Sequence, residues 1–242
     1  MILQNFSEGK HPLVAHAVAG INIGKNATTD INDAQFDYVA ALQRVYAKAD
    51  YVTVNISSPN TSSLRDLQNA NYLDDLLLQI KQARDKCAKV HKREVPVALK
   101  VAPDLEDVEI ETIAELVMSH RLDAVIATNT TTARPSTLQS SHAAEPGGLS
   151  GQPVKDASTQ VIKKFYQQLQ GRVSIIGVGG IATPDDAWEK LLAGADYLQV
   201  YSMFIYEGPL MIRNIVEGLK SKVERAGYTS LQEALSELRT RA

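Results

Sequence analysis

Two hydrophobic patterns alternate along the chain. Short, nearly continuous apolar runs occur at Val18–Ile23, Tyr51–Ile56, Val95–Val101, Ala124–Thr128, Val173–Val178 and Tyr197–Tyr201. Most are rich in Val and Ile and lack a polar alternation, which is how strands covered on both faces read. Between them the spacing becomes helical. Residues 34–49 place Tyr38, Val39, Leu42, Val45 and Tyr46 on one face, and residues 105–119 do the same with Ile110, Ile113, Leu116 and Val117. Thr183-Pro184-Asp185-Asp186 reads as an N-cap, a first-turn proline and early acidic residues, with Gly194 where that helix would stop. Strands alternating with helices predict an α/β fold with a parallel sheet. With no charge-block linker or low-complexity segment, residues 1–242 read as one domain.

The polar residues gather where the strands end. Asn22 and Lys25 follow the first run, Ser57 to Thr61 the second, Lys100 and Asp104 the third, and Asn129 to Thr132 the fourth. Gly177, Gly179 and Gly180 close the fifth run and Tyr201-Ser202 the sixth. In parallel α/β folds ligands bind at the C-terminal ends of the strands, and in barrels those ends share one mouth. Ser, Asn and Pro around Pro59 also suit a turn for backbone reasons alone. Their position at a strand end makes the stretch a candidate site.

Two glycine-rich loops add an anion-binding prospect. One is "IIGVGGIATPDD", a strand running through glycines into a helix start; the other is "GGLSGQP" at residues 147–153. Glycine lets backbone N–H groups approach phosphate oxygens, and barrels commonly hold phosphate in the loops after the last two strands. Neither loop contains GxGxxG, which disfavours a nicotinamide in a Rossmann domain.

Composition narrows the picture further. A length of 242 residues suits one large barrel or two small domains. The net charge of -3 and a pI near 6.0 argue against a broad footprint for nucleic acid or anionic lipid. Cys87 is the only cysteine, which excludes an internal disulfide and a cysteine-based zinc cluster and fits a reducing cytosol. It falls in register with Leu73, Leu76, Leu77 and Ile80 and is expected to pack on a helix face. No signal-peptide pattern is visible, no metal site is expected, and no apolar run approaches the roughly 18 residues of a membrane span.

The strings "GINIGKN", "NISSPNTSSLRDLQ", "VALKVAPD", "IATNTT", "GGLSGQP", "IIGVGGI" and "LQVYSMF", in this order, resemble the dihydroorotate dehydrogenases of the quinone-dependent class 2. The resemblance runs from about residue 18 to residue 227. It implies a (β/α)8 TIM-type barrel that binds FMN and oxidises dihydroorotate to orotate with quinone, in de novo pyrimidine (UMP) biosynthesis. By the same match Ser58 is similar to the catalytic base, whereas the cytosolic class 1 enzymes carry cysteine there. Asn55, Asn60, Asn129 and Thr130 resemble the residues that hold orotate, and asparagine suits that task because it both donates and accepts. Lys100 resembles the lysine beside the flavin, where positive charge would stabilise charge arriving on the ring. Asn22, Asn55, Thr128, Gly151, Gly180, Tyr201 and Ser202 match flavin-contacting positions. Arg65 is expected to anchor the serine loop.

The family pattern begins before residue 1 of this sequence. The six runs correspond to the third through eighth barrel strands, so the expectation is a barrel truncated to its last six strand–helix units. Class 2 enzymes sit peripherally on the cytoplasmic side of the inner membrane through amphipathic N-terminal helices, which are not visible here. Open barrel edges would invite association. An inactive, flavin-free fragment that self-associates through them is therefore the alternative, and another phosphate-binding barrel enzyme, such as a lyase or isomerase, the third reading.

Overall fold

The computed structural model describes residues 17–241. Six parallel strands form one sheet in strict chain order: β1 (Gly20–Ile23), β2 (Tyr51–Asn55), β3 (Val97–Val101), β4 (Ala124–Ala127), β5 (Ser174–Val178) and β6 (Tyr197–Gln199). Helices α1 (Ala34–Val45), α2 (Ala70–His91), α3 (Asp107–Ser119), α4 (Lys155–Leu169) and α5 (Pro184–Leu192) return the chain between successive strands. After β6 come α6 (Ser202–Glu207), α7 (Leu210–Arg225) and α8 (Leu231–Arg241). This is the strand–helix wall of a TIM-type barrel. Among the described residues β1 pairs only with β2 and β6 only with β5.

All six apolar runs become strands, each slightly shorter than its run. The third starts only after Pro96, whose missing N–H could not join the ladder. The sixth ends at Gln199, because Tyr201 and Ser202 already open α6. Helix α1 stops at Val45, where residues 34–49 suggested a longer one, and the chain turns so that Ala49 N–H still reaches the Val45 carbonyl at 3.0 Å.

Side-chain alternation along the strands decides what faces where. Val52 and Val54, Val97, Leu99 and Val101, Val125 and Ala127, and Ile175 lie in the main core under the helices. Against them pack Tyr38 and Leu42 of α1, Leu73, Leu77 and Ile80 of α2, Ile113 and Val117 of α3, and Phe165 of α4. Cys87 is buried in that same core, as its spacing predicts. The intervening positions face the other way. Ala98, Ala124 and Ile126 form a small cluster there with Ile176 and Val178. The same parity places Asn22, Asn55 and Lys100 on this inner face, with Asn55 directly opposite Lys100 in the ladder.

The helix signals hold at α5. Thr183 Oγ1 accepts the Asp186 N–H at 3.2 Å, and the Asp186 carboxylate accepts the Thr183 N–H at 3.0 Å, which closes a reciprocal cap. Gly194 takes φ +122° behind the helix, and a Cβ there would lie 2.4 Å from the Tyr166 side chain. None of the helices among the described residues is long and apolar enough to cross a membrane.

Phe165 is fully buried between α4 and the sheet. Phe165→Ala should cost about 3–5 kcal/mol of stability. In urea titration it should lower the unfolding midpoint with the slope unchanged.

Candidate functional site

The strand ends open on a cleft of about 330 Å³. Asn22, Asn55, Ser58, Lys100, Thr128, Asn129 and Thr130 line one side, and Gly151, Gly180, Tyr201 and Ser202 the other. Of the residues matched to substrate- or flavin-contacting positions, Asn60 is the exception. It sits exposed on the serine loop outside this lining, with its Oδ1 3.2 Å from where a Cβ on Gly147 would stand.

The floor is a polar knot joining three strands. Ser57 is fully buried, and its hydroxyl donates to the Lys100 carbonyl at 2.7 Å. Asn55 Oδ1 accepts the Ser57 N–H at 3.3 Å, and Asn129 Nδ2 donates both to that Oδ1 and to Ser57 Oγ at 3.2 Å. Asn129 Oδ1 is itself taken by the Thr130 N–H at 2.9 Å. Asn129 is therefore largely spent on structure. Asn55 is not: the donors gathered on its Oδ1 turn its Nδ2 away, and that amide has no acceptor among the described residues.

Lys100 projects from the inner face into the cleft. Burial holds its ammonium below the ordinary lysine pKa, and among the described residues no carboxylate pairs with it. A half-buried cation with no counter-ion is costly in a folded protein and marks a place where an anion is expected.

The serine loop is tied down from outside by Arg65. Its guanidinium donates to the Ser57 carbonyl at 3.3 Å, the Thr130 carbonyl at 2.8 Å and the Asp104 carboxylate at 2.7 Å. Arg65 lines no part of the cleft and acts as the loop's anchor, in line with the sequence reading. Ser58 is half-buried at the loop's inner turn, where its Oγ accepts the Asn60 N–H at 3.3 Å and meets no Asp, Glu or His among the described residues.

The glycine loops converge opposite. Thr131 and Leu149 exchange backbone bonds of 3.1 and 2.8 Å, folding the 147–151 loop back onto the end of β4. A Cβ on Gly148 would come within 2.9 Å of Pro59, so this loop packs on the serine loop as well. Gly151, Gly180 and Ile181 all line the cleft, and their backbone N–H groups have no acceptor among the described residues. Gly151 has φ +77° with nothing within 4 Å of a would-be Cβ. The result is an open cradle of donors.

Several lining residues escaped the sequence reading, notably Ser150, Gln199 and Met203. Ser150 accepts a hydrogen bond from the Ser202 hydroxyl at 2.8 Å, which joins the two sides of the cradle. A usable signal existed for Gln199, a lone amide in the otherwise apolar "YLQVY" run.

A sequence profile described as dihydroorotate dehydrogenase matches residues 3–223. The chain belongs to the dihydroorotate dehydrogenase family. The dihydroorotate dehydrogenase (quinone) of Thiobacillus denitrificans is 54% identical over 202 residues, covering 84% of this chain and 60% of that protein. Its counterpart in Burkholderia multivorans is 50% identical, with 84% and 59% covered. The crystal structure of the Eimeria tenella enzyme in complex with ferulenol superposes with a TM-score of 0.89 at 35% identity, over 97% of this chain and 65% of that one. The chain thus spans about 60% of the length of the curated dihydroorotate dehydrogenases it matches, and its six strands are barrel strands of the family fold.

Beneath the glycine loops lies a second buried cation. Lys190 of α5 is fully buried, donates to the Lys155 carbonyl and Thr159 Oγ1 at 2.8 Å each, and is pushed by burial down to about 8. An unfolded lysine titrates near ~10.4. The folded chain therefore sheds this proton first, so the penalty is complete below about pH 8 and is relieved as pH rises toward ~10.4. Urea midpoints taken from neutral to alkaline pH should show Lys190→Met lacking this rise relative to the parent, by up to about 3 kcal/mol.

Proposed function

We propose that the cleft binds FMN and dihydroorotate, and that the chain serves an FMN-dependent oxidation of dihydroorotate to orotate with quinone as electron acceptor, in de novo pyrimidine biosynthesis. The observation that carries this reading is the convergence, in one cleft, of three backbone amides and a lysine that have no partner among the described residues with a serine-bearing loop, in a chain of this family. The donor set fits FMN: an amide cradle for the phosphate at Gly151, Gly180 and Ile181, and a cation at Lys100 near the cleft's other end. Such donors lie idle without an anion.

When bound, FMN supplies the hydride acceptor. The chain's own residues have the remaining tasks. Ser58 Oγ takes the proton from the carbon beside the substrate carbonyl. Serine is a weak base, so this step depends on a closed, water-poor pocket and a path that carries the proton onward. Asn55 Nδ2 donates to the substrate's carbonyl or carboxylate oxygens, while Asn129 holds Asn55 and Ser57 in place and Thr130 borders the same pocket. Lys100 would stabilise negative charge developing on a flavin held in the cleft. Asn22, Thr128, Tyr201 and Ser202 complete the flavin's surroundings. Asn60, outside the lining, reaches substrate only if the serine loop moves inward. In the intact cellular enzyme we place this activity at the cytoplasmic side of the inner membrane, peripherally associated.

A second reading has its own support. Tyr197, Tyr201, Ile205, Tyr206 and Leu210 are all exposed beside the outer edge of β6, a surface suited to association in a flavin-free protein. Colour separates the two. The purified chain should show a flavin spectrum, or gain melting temperature with added FMN; a colourless protein indifferent to FMN favours the second reading. With FMN bound, anaerobic dihydroorotate should bleach the flavin, and Ser58→Ala should slow this by about 10²–10⁴-fold while leaving FMN in place. Undiminished bleaching in that variant would remove Ser58 as the base. Reoxidation by fumarate or a nicotinamide in preference to quinone would contradict the acceptor.

A further inference from the structure

Behind the two glycine loops, outside the cleft lining, a buried carboxylate accepts hydrogen bonds from the segments that follow both. Asp186, in the first turn of α5, is buried, and its carboxylate gathers five donors. Oδ2 accepts the N–H groups of Ala182 at 3.1 Å and Thr183 at 3.0 Å, the Thr183 hydroxyl at 2.9 Å and, more distantly, Gln152 Nε2 at 3.5 Å. Oδ1 accepts the Lys155 ammonium at 3.0 Å. Gln152 directly follows Gly151 and also donates to the Gly180 carbonyl at 3.1 Å. Ala182 and Thr183 directly follow the Gly179–Ile181 turn.

We propose that Asp186 is a positioning residue that sets the spacing between the Gly151 and Gly179–Ile181 loops, and so governs the cleft's affinity for the phosphate end of its ligand. The inference rests on the FMN reading and assigns phosphate binding within it to a network behind the cradle. Its arms reach both loops, and the rest of the packing backs them. The Lys155 side chain lies so close to Gly180 that a Cβ there would stand 2.4 Å from it. Ser158 of α4 donates to the Val178 carbonyl at the base of the same turn. Lys155, shared with Glu189 at 3.0 Å, offsets part of the Asp186 charge and so weakens the repulsion a carboxylate close behind an anion cradle would exert on the anion. Burial pushes the Asp186 carboxyl up, but its hydrogen bonds from Lys155, Thr183 and Ala182 outweigh this and hold it below the usual carboxylate range.

Asparagine is the informative replacement. One of its two ends is an NH2 group, which must face either the Ala182 and Thr183 donors or the Lys155 ammonium. Either orientation sets donor against donor.

The full chain and Asp186→Asn would be titrated with FMN, with riboflavin, which lacks the phosphate, and with inorganic phosphate, while amide resonances of Gly151, Gly180 and Ile181 are followed by NMR. FMN affinity should fall about tenfold or more, the scale of a lost charge-assisted hydrogen bond, with riboflavin affinity unchanged. Gln152→Leu, an exposed change that severs one arm, should move FMN affinity the same way by a smaller factor, and it covers the case in which Asp186→Asn fails to fold. Unchanged FMN affinity in these variants, or equal losses for FMN and riboflavin, would overturn the positioning role. If the parent binds neither flavin but phosphate shifts its Gly180 and Ile181 amides, and fails to in Asp186→Asn, the positioning role stands and the FMN reading falls. A parent indifferent to all three probes overturns both.

Discussion

Every strand runs parallel and in chain order, so each strand's C-terminal end opens on the same rim. A helix must bring the chain back to the start before the next strand can form, and that return trip leaves the strand-to-helix loops together on one side. The serine loop, the Asn129–Thr132 segment and both glycine loops meet for this reason and no other. Period-two alternation supplies the second constraint. Once the valines and leucines of β2 and β3 commit to the helix side, Asn55 and Lys100 must share the inner face.

The cleft spends stability on readiness. Among the described residues Lys100 is desolvated with no carboxylate partner, and the amides of Gly151, Gly180 and Ile181 have no acceptor. Unmet donors of this kind are tolerated when the surrounding structure over-determines them. Here the surroundings do. The Ser57–Asn55–Asn129 knot locks three strand ends, Arg65 straps the serine loop to the segments after β3 and β4, and the Asp186 network fixes both glycine loops. Chemistry and scaffold are separated residue by residue. Among the described residues the Asn55 Nδ2 has no acceptor, whereas Asn129, identical in type and adjacent in space, is consumed in holding Asn55.

Much of this was legible beforehand because its causes are local. A strand covered on both faces reads as an apolar run, and an N-cap needs its Thr and Asp within one turn, so β1 to β6 and the start of α5 could be placed from residue order alone. Strand ends were less exact, since a ladder stops where a neighbour's register or a following helix decides. The Arg134 to Pro146 stretch has neither a helical nor a strand period in its residue order, and it folds as turns.

The sequence by itself determined the six parallel strands, the gathering of polar residues at their ends and the membership of a family, because periodicity and ordered motifs survive without coordinates. Only the tertiary structure decided which side chains are free. Asn55, Asn60 and Asn129 are indistinguishable as letters; their hydrogen-bond partners come from segments up to 74 residues away, and those partners separate a cleft-lining amide, an exposed loop residue and a strut. The same holds for Asp186, which residue order shows only as an early acidic residue of a helix. Its link to Gln152 and Lys155 spans more than 30 residues, a distance no local pattern encodes.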